Sequence, residues 1–310
     1  MQWKEAVYDK AKNLRVRMYK LTPTPIASVG KQKLPVLVHL HDGGFCLGRA
    51  RGRTCTSCSS ASLRTPLRDQ SVAASATDGW LTEAADFGRV FVTGDSAGGT
   101  IAHHLIVHAG SEAASEPEPG LVTVHGYVLF MPFFGDVRHA ASEAECPEEA
   151  FPNLDLVNRF WRLSLPAGAT RYHPAANSFG PDSPDLGSVD FPLVLVVVGG
   201  LDLIRDRTID YAEQLVPMGK PVELAEFTGK SHGFYLHELG SEATAQLIQT
   251  VAQFVDSCGA VAASEAGRLL LNLLGICMHM HGTKRLGVSR PRPFLFSCID
   301  TFSAIIAERS

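Results

Sequence analysis

The stretch VFVTGDSAGGTIAHH, residues 90–104, decides how this chain reads. A short apolar run leads into a serine with a glycine two residues to either side, and an apolar pattern at helical spacing follows at once. Strand, tight turn and helix is the order this implies. The G-x-S-x-G spacing has a steric reason. A serine that projects its hydroxyl above the end of a sheet sits on a strained turn, and small residues two before and two after let that turn close without Cβ clashes. The same turn aims the first amides of the helix, that of Ala97 among them, at the place where negative charge would develop. Taken alone, the motif also reads as a plain turn with Ser96 as a helix cap, so the rest of the chain has to decide.

An elbow serine is a poor nucleophile until a histidine takes its proton, and a carboxylate must orient that histidine. On a strand-turn-helix topology the order along the chain is serine, acid, histidine. Asp202 follows directly on the apolar run FPLVLVVVGG (residues 191–200). That is the carboxyl end of a strand, where sites in open α/β sheets lie. His232, in GKSHGFY (residues 229–235), comes after a helical pattern and the short strand PVELAEF. Both partners have competitors. Asp206 and Asp210 lie one and two turns into the helix after Asp202, and Asp202 itself has the alternative role of capping that helix. His237 opens what reads as the last helix, while His173, His103 and His104 fall outside the expected position. The last two are adjacent and cannot share a helix face as ligands, so they are expected to pack beneath the elbow helix. An oxyanion hole needs backbone N–H groups from the loop after an earlier strand, and VLVHLHDGGF (residues 36–45) supplies it through Gly43 and Gly44.

Around these motifs, residues 13–20 (NLRVRMYK) alternate as a half-buried strand does. Residues 34–40, 89–93, 124–132 and 191–199 are continuous apolar runs of the kind that parallel sheets bury on both faces. Helical patterns at residues 98–109, 154–163, 205–216 and 242–255 alternate with them, which argues for an open α/β sheet. Two segments stand apart. Residues 49–78 are rich in Ser, Thr, Arg and Ala with few large apolar side chains, and read as an irregular insert. Residues 259–310 read as a weakly ordered tail beyond a hydrolase domain spanning residues 1–258.

Composition excludes some classes of function. The chain is 45% hydrophobic and 19% charged with a net charge of -4, which leaves no basic footprint for nucleic acid or an anionic membrane. The start carries no basic segment followed by an apolar run, and the apolar stretch at residues 269–278 is too short to span a bilayer. The seven cysteines, odd in number and irregularly spaced, suit reduced thiols and a cytoplasmic location. The lone C-x-x-C of Cys55 and Cys58 lacks the second pair a metal site needs.

At this point the residues resemble a known family, the plant carboxylesterases of the hormone-sensitive-lipase type, which have the α/β-hydrolase fold and include the gibberellin receptors. The matching pieces are HDGGFCLG, DFGRVFVTGDSAGGTIAHH, VLVVVGGLDLIRDR and KSHGFYLHE, with WKEAVYDKAKNLRVRMYK similar to the family's first strands. Together they cover roughly residues 3–47 and 80–258. The resemblance implies a serine esterase of small molecules with Ser96 as nucleophile, Asp202 as acid and His232 as base. It also implies an oxyanion hole from the amides of Gly43, Gly44 and Ala97, with no metal or organic cofactor. The receptors in the family have lost the catalytic histidine, which this chain retains at His232. Some relatives dehydrate a flavonoid intermediate instead, and a receptor-like binder or an inactive relic is the alternative from another class. Three departures stand against the matches. Asp42 stands where the family has its first oxyanion-loop glycine, the N-terminal cap of the pocket is expected to be missing, and residues 49–78 are expected to replace a central strand. Phe45, Phe133, Phe134, Phe160 and Trp161 are candidates for the pocket wall or for plain core.

Overall fold

In the computed structural model, residues 2–9, 14–20, 34–46, 85–112, 124–258 and 301–306 are described. Their strands are β1 (Gln2–Asp9), β2 (Leu14–Lys20), β3 (Leu34–Leu40), β4 (Ala85–Asp95), β5 (Val124–Phe130), β6 (Leu193–Gly199), β7 (Val222–Phe227) and β8 (Thr301–Ile306). The helices are α1 (Ala97–Glu112), α2 (Ala141–Ala144), α3 (Leu154–Ser164), α4 (Arg205–Leu215), α5 (Phe234–His237) and α6 (Glu242–Ser257). One sheet holds every strand, in the order β1-β2-β8-β3-β4-β5-β6-β7. From β3 to β7 the pairs are parallel, while β1 and β2 form an antiparallel pair at one edge.

The apolar runs become the inner strands because both of their faces are covered. Val194, Leu195, Val196, Val197 and Val198 in β6 are all buried, as are Val128, Leu129 and Phe130 in β5. Burial of each such side chain contributes about 1.5–3 kcal/mol relative to leaving it in water. Helix α1 is enclosed too: Ala102, His103, Leu105, Ile106 and Val107 are buried, and the helix lies against β3, β4 and β5. The helix starts follow local chemistry. The Asn153 side chain accepts a hydrogen bond from the Leu156 amide at the head of α3, and Ser241 accepts one from Thr244 at the head of α6.

The position beside β3 departs from expectation. A strand is expected to be missing there, and Thr301–Ile306 occupies the place as β8, parallel to β2 and antiparallel to β3. This segment falls in the tail that the sequence reading leaves weakly ordered. The physical reason is pairing: without an intervening strand, β2 and β3 present rows of unsatisfied N–H and C=O groups to each other. Residues 49–78, the rest of the tail and the Cys55–Cys58 pair lie outside the described residues.

Ala304 is matched with Met18 on one side and Val38 on the other, so its N–H belongs to the ladder. Proline there removes that donor. Ala304→Pro is expected to lower the thermal midpoint by several degrees. An unchanged midpoint would place this segment outside the sheet.

Candidate active site

Strand β4 ends at Asp95 and helix α1 starts at Ala97, so the whole turn is Ser96, with φ 53° in the left-handed region. A non-glycine residue holds such a conformation only when its surroundings impose it. Those surroundings are visible. The Ser96 amide donates to the Phe130 carbonyl at 2.9 Å, and the Ser96 carbonyl accepts from the Phe133 amide at 2.9 Å, which ties the elbow to the end of β5. The two motif glycines are equally specific. A Cβ at Gly94 would lie 2.2 Å from the Gly98 carbonyl oxygen, and one at Gly98 would lie 2.0 Å from that of Leu40. The glycines thus let the turn close and let it seat on the end of β3. Gly98→Ala is expected to destabilise the protein by about 3 kcal/mol, the upper part of the usual overpacking range. For a domain this size that is a fall of about 6–12 °C in thermal midpoint, read by calorimetry; an unshifted midpoint would contradict this contact.

Asp202 does not cap α4, whose N-cap is Ile204 with no side-chain cap bond. Its Oδ1 accepts from the Ile204 amide at 3.1 Å in the turn before that helix, while Oδ2 lies 2.7 Å from His232 Nδ1. The acid is fully buried and pinned by its own backbone before it meets the imidazole. His232 is brought to it by the loop after β7. A Cβ at Gly199 would lie 2.6 Å from the Lys230 carbonyl oxygen, so only glycine lets that loop close onto the end of β6. The Leu201 amide donates to the Lys230 carbonyl at 2.9 Å, and the Gly233 amide donates to Met131 Sδ at 3.1 Å.

The loop after β3 makes a tight turn, closed by the Cys46 amide on the Gly43 carbonyl at 3.1 Å. Gly43, Gly44 and Phe45 all have positive φ, at 117°, 57° and 60°. A side chain at Gly44 would collide with the Phe160 ring, 2.3 Å from Cδ2, so α3 lies directly over this loop. Ala97, as first residue of α1, belongs to a turn whose amides have no acceptor within the helix. Gly43, Gly44 and Ala97 therefore stand on the elements that flank Ser96.

Two carboxylates besides Asp202 act on this site. Asp95, next to Ser96, is 3% exposed, and its Oδ1 has no hydrogen-bond partner among the described residues. Burial first, and then the charge of Asp42, raise its pKa to about 7, against the pull of His232 and the Tyr235 hydroxyl. Burial alone would lower the pKa of His232. Asp202 by charge and hydrogen bond, followed by Asp95 and Asp42 by charge, overcome that and raise it to about 9. Sequence reasoning treats Asp95 only as the variable position of the motif, because nothing local signals its burial.

The competitors are engaged elsewhere. Asp206 accepts from the Ser142 amide and pairs with Arg205, and Asp210 accepts from Gln214. His103 is buried under α1 with Nδ1 2.8 Å from the Tyr211 hydroxyl, and burial drives its pKa well down. His104 falls to about 4, again by burial first. His173 takes the Ala175 amide, and His237 closes α5, a short helix separate from α6. Of the aromatic candidates, Phe133 stacks on Trp161 with ring centres 4.4 Å apart and both are buried. Phe134 is buried against His103 and Tyr211. These three are core, which leaves the half-buried Phe45 and Phe160 beside the glycine loop.

A family model described as the alpha/beta hydrolase fold matches residues 67–236, more than half of the chain. This chain belongs to the α/β-hydrolase fold family. Within that family it is 30% identical over 263 residues to probable carboxylesterase 6 of Arabidopsis thaliana, covering 76% of this chain and 74% of that one. Over 158 residues it is 38% identical to a gibberellin receptor of the same plant, covering 51% of this chain. The chain spans 44% of that receptor's length. An esterase of the archaeon Pyrobaculum calidifontis shares the fold with a TM-score of 0.64 at 21% identity, over 84% of this chain and 87% of that one. Among the described residues no helix is long and apolar enough to cross a membrane.

Proposed function

We propose that the protein is a serine carboxylesterase acting on small-molecule esters. The observation that carries this reading is the 2.7 Å contact between His232 Nδ1 and Asp202 Oδ2, at the same end of the sheet as the Ser96 elbow. Asp202 holds Nδ1–H, which leaves Nε2 as the acceptor for the Ser96 proton. As Ser96 Oγ attacks the ester carbonyl, its proton passes to Nε2 and the carbonyl oxygen becomes an oxyanion. The amides of Gly43, Gly44 and Ala97 stabilise that charge, and the imidazolium returns its proton to the departing alcohol. Water, deprotonated by the same histidine, then releases the acid and restores Ser96. The chemistry needs no metal or organic cofactor. The odd number and irregular spacing of the seven cysteines support a cytoplasmic location in this reading.

Hydrolysis of p-nitrophenyl esters of increasing acyl length tests the proposal. Saturable turnover of at least one of them is expected. A second reading, a receptor-like binder, draws on the similarity to gibberellin receptors and on Asp42 in the glycine loop. It predicts no turnover of any ester by a folded protein.

A further inference from the structure

Three successive carbonyls of the glycine loop are engaged. His41 Nδ1 donates to the Asp42 carbonyl at 2.6 Å, and the Cys46 amide donates to that of Gly43 at 3.1 Å. The Ser164 hydroxyl, at the end of α3 and 120 residues further along the chain, donates to that of Gly44 at 3.2 Å. In a planar trans amide the N–H points opposite to the C=O. Holding the carbonyls of Asp42, Gly43 and Gly44 therefore fixes where the amides of Gly43, Gly44 and Phe45 point. The first two tethers are local to the loop, while the third ties it to a separate element. Ser164 does more than that. Its Oγ lies 2.7 Å from the Phe160 carbonyl one turn back and 3.2 Å from Cys46 Sγ. With the serine proton directed at carbonyls, the Cys46 thiol is the donor to Oγ. Helix α3 is fixed to the elbow as well. The Phe133 amide donates to the Ser96 carbonyl at 2.9 Å, and the Phe133 ring stacks on Trp161 and meets Phe160 edge-on with centres 6.2 Å apart. One helix thus contacts both the glycine loop and the residue that holds Ser96.

We propose that Ser164 is a positioning residue for the oxyanion hole: it ties the glycine loop to α3 through the Gly44 carbonyl and the Cys46 thiol, and so keeps the loop amides in place beside Ser96. The inference rests on the serine esterase reading for its effect on turnover, though not for the tether itself. The tether serves the transition state, because the amides are called on only once the ester oxygen carries charge. Without the hydroxyl every donor is still present, but the loop that aims two of them is held by its local bonds alone. A loss of about tenfold is expected, smaller than the about 10²-fold or more that follows removal of an oxyanion donor. Ser164 is half-buried at a helix end, so its hydroxyl can be removed without opening the core.

The experiment compares the wild type, Ser164→Ala and Ser164→Thr in hydrolysis of p-nitrophenyl butyrate and in amide hydrogen exchange of residues 41–46. Ser164→Ala is expected to lower kcat about tenfold while KM stays within about twofold, the pattern of an interaction made only in the transition state. Exchange in the loop becomes faster in the same variant, and the rest of the chain exchanges as before. Threonine keeps the hydroxyl and restores both properties, which a role in packing alone would not predict. An unchanged kcat, a loss confined to KM, or a threonine variant as slow as the alanine one overturns the inference. So does faster exchange throughout the chain, which would mark general destabilisation. A wild type that neither hydrolyses the ester nor takes up a fluorophosphonate removes the esterase reading instead. Loop exchange then decides the tether by itself: faster in Ser164→Ala upholds it, and equal exchange overturns it.

Discussion

Ser96→Ala is expected to abolish ester hydrolysis while leaving the fold intact. In the proposed mechanism the hydroxyl forms the acyl intermediate, and loss of such a nucleophile reduces turnover by about 10⁶-fold where it has been isolated from the rest of a triad. What remains is the residual rate from the glycine loop and binding, about 10³-fold above water. Alanine is sterically acceptable at a site that already accommodates a Cβ, and Ser96 is tethered to Phe130 and Phe133 through its backbone. The thermal midpoint should therefore change little. Turnover of p-nitrophenyl butyrate by the variant within tenfold of the wild type would exclude Ser96 as the nucleophile.

Asp202→Asn has the second largest expected effect. The carboxylate has two attachments, the Ile204 amide on Oδ1 and His232 Nδ1 on Oδ2. Asparagine can keep the first through its carbonyl oxygen. Its NH₂ then faces Nδ1 and favours the tautomer with the proton on Nε2, where it cannot accept from Ser96. A fall in turnover of about 10⁴-fold is expected. The pH dependence separates a tautomer effect from simple misfolding. Without the Asp202 charge the imidazole loses the leading cause of its raised pKa, so the residual activity should begin at a lower pH than in the wild type. The sign follows from the base being active only when neutral. Residual activity with an unmoved alkaline limb would show that Asp202 is not the group governing His232.

Much of this architecture was legible from short patterns. The apolar run at residues 34–40 is β3 and that at 191–199 contains β6, and the bounds of the helical patterns fall within three residues of those of α1, α3, α4 and α6. Local periodicity suffices there because each element buries a face that its own sequence defines. Strand β4 is longer than its apolar run. Its first part, ADFG, pairs with β3 across a register shift, in which Pro35 is opposite Asp86 and Val36 is opposite Val90. A bulge of that kind has no local signature. Strand β8 was not legible either, because TFSAII gains its partners from β2 and β3 near the other end of the chain. A six-residue run does not state which distant edge it will meet.

The site divides in the same way. Residue type and order along the chain point to Ser96, Asp202 and His232, since the chemistry demands those groups at strand ends. Gly199 and Asp95 escaped notice for opposite reasons. Gly199 matters through a close approach to the Lys230 carbonyl that only the folded chain contains. Asp95 looks like an ordinary turn carboxylate until its burial is known. Phe133 and Trp161, candidates for a pocket wall, are stacked on each other in the core, and their sequence neighbour Phe160 instead reaches Gly44.

The central claim is that Ser96, His232 and Asp202 work as one nucleophilic unit. Intact mass after incubation with a fluorophosphonate, carried out at pH 9 on the wild type and Ser96→Ala, tests it most directly. The account predicts one added label on the wild-type chain and none on the variant. A folded wild-type protein that takes up no label, or a variant that labels equally well, would contradict it.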